Sequence, residues 1–71
     1  MTADTAKINK IYKIISIEES HFNQRLVEMG CIEGTEITKL FEALGGDPIA
    51  FQVDNYILAL RKSEAKTITV K

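Results

Sequence analysis

Cysteine, proline, histidine and tryptophan are nearly missing from this chain of 71 residues: one Cys, one Pro, one His and no Trp. A single cysteine, Cys31, excludes an internal disulfide, and with no hydrophobic leader at Met1–Lys7 the chain reads as cytoplasmic. No long apolar run is present. The longest is Tyr56-Ile57-Leu58-Ala59-Leu60, against roughly 20 residues needed for a membrane span, so no direct membrane insertion is expected. Charge of one sign is also lacking. Nine basic and ten acidic residues leave a net charge of −1, divided as 4 and 5 up to Thr35 and 5 and 5 beyond it. That excludes a polyanion-binding domain driven by net charge, and no nucleic acid is expected as a partner.

What is present suits one small globular domain over residues 1–71, with residues 1–8 as a partly ordered N-terminal extension. Ile11, Tyr12, Ile14, Ile15 and Ile17 give Lys10 to Glu18 the β-branched and aromatic weight of a strand. Apolar residues on both of its faces suit a strand crossing a closed core. Ser20 then offers an N-cap hydroxyl, and Phe22, Leu26 and Met29 form an i, i+4, i+7 stripe, predicting a helix from Ser20 to Met29. Gly30 follows as the C′ residue. A second strand is expected over Thr35–Leu44, broken by Gly45-Gly46-Asp47-Pro48. Ile49, Phe51 and Val53 alternate, Asp54-Asn55 marks a hairpin turn, and Tyr56, Leu58 and Leu60 alternate on the return. Lys62–Ala65 forms a single turn before a last strand at Thr67–Val70. The fold class is therefore mostly β: a small SH3-like β-barrel of about five strands, with one short α-helix after the first. Closure would remove the sheet edges.

Three segments carry a recognisable pattern: Arg25-Leu26-Val27-Glu28-Met29-Gly30-Cys31-Ile32-Glu33-Gly34-Thr35, then Gly45-Gly46-Asp47-Pro48, then Tyr56-Ile57-Leu58-Ala59-Leu60-Arg61. Together they resemble the FeoA family, small cytosolic accessory proteins of the bacterial ferrous iron transporter FeoB. Two positions depart from the family pattern. Glu33 stands where proline is usual and Asn55 where glycine is usual, and both still suit a turn. The resemblance implies an SH3-like barrel and a non-enzymatic adaptor that binds an FeoB-like membrane transporter and modulates its GTP-binding domain. The alternative is an SH3-like protein- or peptide-binding module related to the C-terminal barrel of metal-dependent repressors.

The remaining candidates are weak. His21 and Cys31 are the only soft ligands. Along a helix, residues 21 and 29 alone are about 12 Å apart, far beyond a shared coordination shell. No stable intramolecular metal site and no cofactor are expected; weak or inter-chain iron binding stays open. Gly45-Gly46-Asp47-Pro48 lacks the Gly-Lys-Ser/Thr of a phosphate loop. No nucleophile, base and orienting group can be assembled, so no enzyme is expected. The expected partner surface is Arg25, Leu26, Val27, Met29, Cys31 and Ile32 on the helix and loop, with Ile57, Arg61 and Lys62 from the return strand and its end. Leu26 and Met29 also fit a core role. A homo-oligomer is possible if the final strand offers a free edge.

Overall fold

β-Branched residues and two tight turns build the sheet in the computed structural model, which describes residues 1–71. The strands are β1 (Ile11–Ile17), β2 (Glu36–Glu42), β3 (Ile49–Val53), β4 (Tyr56–Leu60) and β5 (Ile68–Val70). The helices are α1 (Asn23–Glu28) and α2 (Lys62–Ala65). All strand pairings are antiparallel, in the order β4-β3-β2-β1-β5. β1 is the pivot. Its first half, Ile11–Lys13, pairs with β2, and its second, Ile14–Ile17, pairs with β5 through a register shift between Ile14 and Ser16. A second shift lies in β2 between Lys39 and Phe41. Such shifts kink and twist a strand, and here they wrap the sheet around Phe51, Ile14, Leu26, Ile49, Leu60 and Ile68.

Three sequence expectations are corrected. The sheet is open and not a closed barrel, because β4 and β5 are its two ends and do not pair with each other. The outer face of β1 is solvated, with Ile11 and Ile15 exposed rather than in a second core. Residues 1–8 are not a loose extension. Ala3–Thr5 forms a 3₁₀ turn with Ala3 fully buried, Thr2 bridges Thr69, and Val70 donates its N–H to the Met1 carbonyl at 2.8 Å. The N-terminus thus covers the outer edge of β5, the edge expected to be free.

The helix is also shorter than its apolar stripe. It starts at Asn23, and Ser20 serves the preceding turn, its hydroxyl accepting from the Phe22 N–H at 3.2 Å. Leu26 is buried, while Phe22 and Met29 pack against the core from its margin. No helix is long and apolar enough to cross a membrane.

Three charged residues lie inside: Asp4, which accepts from the Thr2 hydroxyl, Lys39 and Glu64. Lys39 faces inward between Ile37 and the bulge, donates from Nζ to the Asp4 carbonyl at 2.8 Å and pairs with Glu42. The Lys39 ammonium holds the Glu42 carboxyl below its usual range. Glu42 accordingly favours the fold above its ordinary pKa of 4.5, and that contribution fades as pH falls through its lower folded value. The third, Glu64, belongs to the site below.

Candidate functional site

The helix C-terminus sets the geometry of this region. Gly30 takes φ +94°, a conformation that glycine adopts without a Cβ penalty. Its N–H bonds to the Val27 carbonyl at 3.0 Å, and the Cys31 N–H reaches back to the Leu26 carbonyl at 2.9 Å. This is a Schellman motif, and its usual companion is an apolar contact between the residue after the glycine and the third residue from the helix end. Here those residues are Cys31 and Leu26, both fully buried in the core. The Tyr56 hydroxyl donates to the Met29 carbonyl at 2.6 Å and ties β4 to the end of α1.

The expected surface residues therefore divide. Leu26 and Cys31 cannot meet a partner, because the Schellman turn folds them inward. Met29 is half-buried and packs on the core. Val27 and Ile32 are exposed, at 45% and 49%, with no apolar partner of their own in the core cluster. Ile57 is 65% exposed but sits on the outer sheet face, in the cross-strand row Ile11–Thr38–Gln52–Ile57, on the opposite side of β4 from Tyr56. It does not join the α1 surface.

Two of the three basic residues, Arg25 and Arg61, meet at a residue outside the sequence expectations. Glu64 in α2 is buried at 3% exposure. Its Oε1 accepts from the Arg61 N–H at 2.8 Å, closing the first turn of α2, and its other oxygen pairs with the Arg25 guanidinium. Asp47 accepts from the Lys62 N–H at 3.0 Å and lies 3.8 Å from the Arg61 guanidinium. Arg25 thus pairs with the buried Glu64 carboxylate through its guanidinium and Arg61 bonds it through its N–H, while Lys62 is held on the exposed Asp47; the Arg25 and Arg61 side chains are more than half exposed. The sequence signal for Glu64 is its place three residues after Arg61, the spacing of a capping box.

His21 and Cys31 are not a ligand pair. The thiol is enclosed, and burial pushes its pKa up, so it is a neutral core group at pH 7. His21 is exposed and stacks its ring 4.1 Å from that of Phe22. No three His, Cys, Asp or Glu residues gather in one place. Alkylation of Cys31 by iodoacetamide at pH 8 is expected to run at least about 100-fold slower than for an unfolded control, because the thiol must wait for opening of the α1 turn. Mass spectrometry of timed samples reads this directly. Modification at the control rate would mean that Cys31 is accessible in the folded chain.

Comparison with known proteins places this geometry. The FeoA domain family model matches residues 1–71. The solved structure of an FeoA-like protein from Clostridium acetobutylicum is 40% identical with a TM-score of 0.93, over 100% of this chain and 84% of that one. Iron(II) transport protein A from Clostridium thermocellum is 33% identical with a TM-score of 0.94, and the present chain spans 44% of its length. FeoA from Stenotrophomonas maltophilia, solved with zinc and described as a prokaryotic SH3 domain protein, is 32% identical with a TM-score of 0.86, over 100% and 89% of the two chains. A search of curated proteins found no match. With the family model matched from the first residue to the last, this mostly β chain is a member of the FeoA domain family.

Proposed function

We propose that this chain is a non-enzymatic adaptor of ferrous iron uptake that docks on the cytoplasmic side of an FeoB-like membrane transporter and modulates its GTP-binding domain. The observation that carries the reading is the family match over the whole chain. It is supported by the description of the Stenotrophomonas protein as a candidate ferrous iron transport activating factor. The docking surface of this reading takes the exposed part of the α1 turn, Val27 and Ile32, together with the exposed cations Arg25, Arg61 and Lys62. Apolar side chains at the centre of a contact supply burial, and exposed cations at its rim select an acidic partner. To change the transporter's state, the adaptor must bind one state more tightly, and a tenfold preference is about 1.4 kcal/mol.

The test is co-purification with full-length FeoB, with and without a non-hydrolysable GTP analogue. The wild-type chain is expected to be retained in a nucleotide-dependent way. Val27→Asp and Ile32→Asp are expected to lower retention at least about tenfold while leaving the melting temperature within about 3 °C, since neither side chain is in the core. Retention that ignores both substitutions would remove this surface from the reading. Absence of retention in every nucleotide state would remove direct docking. A second reading, a peptide-binding regulatory module related to the barrel of metal-dependent repressors, draws on the SH3 description of the Stenotrophomonas protein. Binding of proline-rich or extended peptides without any effect of FeoB would favour it.

A further inference from the structure

The outer face of the sheet carries a pocket of about 340 Å³ along β2, at the low end of the range for ligand sites. Glu36, Thr38 and Leu40 line it from β2. Ile11 and Gln52 flank Thr38 in register, from β1 and β3. Asn9 closes the Leu40 end, its N–H bonded to the Lys39 carbonyl at 2.8 Å. Asp54 closes the other end, its N–H bonded to the Glu36 carbonyl at 3.1 Å. That bond sets two acidic residues together at one end, with the apolar Ile11 and Leu40 toward the other. Asn9 and Asp54 are also the two non-glycine residues with positive φ, at +65° and +56°, and such backbone gathers at ligand clamps. Glu36 and Asp54 are exposed and join none of the ion pairs. Lys13, in register with Glu36 on the β1 side, is in no ion pair either. The acidic end is thus not neutralised by a contact within the chain.

We propose that this pocket takes an arginine side chain from an extended, basic segment of a partner protein. The charge chooses the side chain. A guanidinium is planar, always charged and rich in donors, so it can bond two carboxylates at once, with the Thr38 and Gln52 side chains as further acceptors. Its apolar stem lies along Ile11 and Leu40. The surroundings choose the source. Ile57 continues the row Ile11–Thr38–Gln52 past the pocket and is 65% exposed. A free small cation would leave that side chain in water, whereas the residues flanking an arginine in a peptide cover it. The inference is independent of the adaptor reading, whose α1 surface lies on the Tyr56 side of the sheet. It rests on the peptide-binding reading and gives it a place and a charge.

Amide NMR titration of the isolated chain with the peptide acetyl-Ser-Val-Arg-Val-Ser-amide tests this. Shift changes are expected at Glu36, Thr38, Gln52 and Asp54, with a Kd on the order of 10⁻⁴ to 10⁻³ M. Citrulline in place of the arginine keeps the shape and drops the charge, and should raise Kd at least about tenfold. Glu36→Gln and Asp54→Asn should each raise Kd at least about fivefold. Both residues are exposed, and asparagine tolerates the positive φ of Asp54, so the fold is kept. Equal binding of the citrulline peptide, indifference to both substitutions, or no shift at about 5 mM peptide would each overturn the proposal. So would calcium chloride shifting these amides while the peptide does not, which would make the pocket a metal cation site. A proline-rich peptide that binds where the arginine peptide fails would overturn it and still keep the peptide-binding reading. The isolated chain contains no transporter, so failure here and failure of the adaptor reading are separate results.

Discussion

Gly30→Ala is expected to cost about 2–3 kcal/mol and to lower the melting temperature by roughly 10–20 °C. Two causes add. An L-residue held at φ +94° carries a backbone penalty of about 1–2 kcal/mol. The new Cβ would also stand 2.1 Å from the Tyr56 hydroxyl oxygen. The ring can swing aside, because Tyr56 is itself partly exposed, but it then gives up its bond to the Met29 carbonyl, worth about 1 kcal/mol. Tyr56→Phe alone should therefore cost about 1 kcal/mol. In the Tyr56→Phe background, Gly30→Ala should cost about 1 kcal/mol less than in the wild type, since the bond it breaks is already gone. Urea unfolding of the four chains measures this. Strict additivity would mean that the hydroxyl and the glycine do not meet.

The same turn shows what the sequence reveals and what it hides. Gly30 after an apolar stripe is a local signal, and both the helix and its C′ residue are legible from it. Falling off the stripe, Cys31 is expected on an exposed surface, yet it is fully buried. The stripe ends with the helix, and the Schellman turn reverses the chain just there, so residue 31 points back at Leu26. Helical periodicity was the wrong rule one residue too far; the apolar contact that accompanies a Schellman turn would have placed Cys31 inside. The strands were legible from their alternation, and the closing of the sheet was not. Closure depends on how far two register shifts bend β1 and β2, and on the N-terminus claiming the edge of β5. Neither is written in a local pattern. Lys39 and Glu64 were missed for a related reason. A buried charge is tolerated only where its partners converge, and Asp4 and Lys39, or Arg25 and Glu64, are distant in the chain.

Arg25→Glu is expected to destabilise the chain by about 2–3 kcal/mol, although Arg25 looks like a surface residue. Its side chain is 57% exposed, and as an isolated surface cation it would contribute little. The difference is its partner. Glu64 is buried, and a buried carboxylate that loses its counter-charge keeps the desolvation cost without the compensation. Solvent at the Arg25 side screens part of the loss, which keeps the effect below that of a fully buried pair. Glu64→Gln provides the control, because the amide oxygen can still accept from the Arg61 N–H while the charge is gone. On that background Arg25→Glu should cost under about 1 kcal/mol, and the coupling between the two sites should be about 2 kcal/mol. Equal costs in both backgrounds would place the effect of Arg25 elsewhere. The result bears on function as well as on the fold. A charge reversal at Arg25 that abolished binding to the transporter would report loosening of α2 as much as loss of a contact. Arg61 and Lys62 use their backbone N–H groups to hold α2, on Glu64 and Asp47, and leave their side chains to solvent or to the exposed Asp47 carboxylate. Charge reversal at Lys62 therefore tests a docking surface without disturbing what supports it, and Arg25 should be tested only with the Glu64→Gln control beside it.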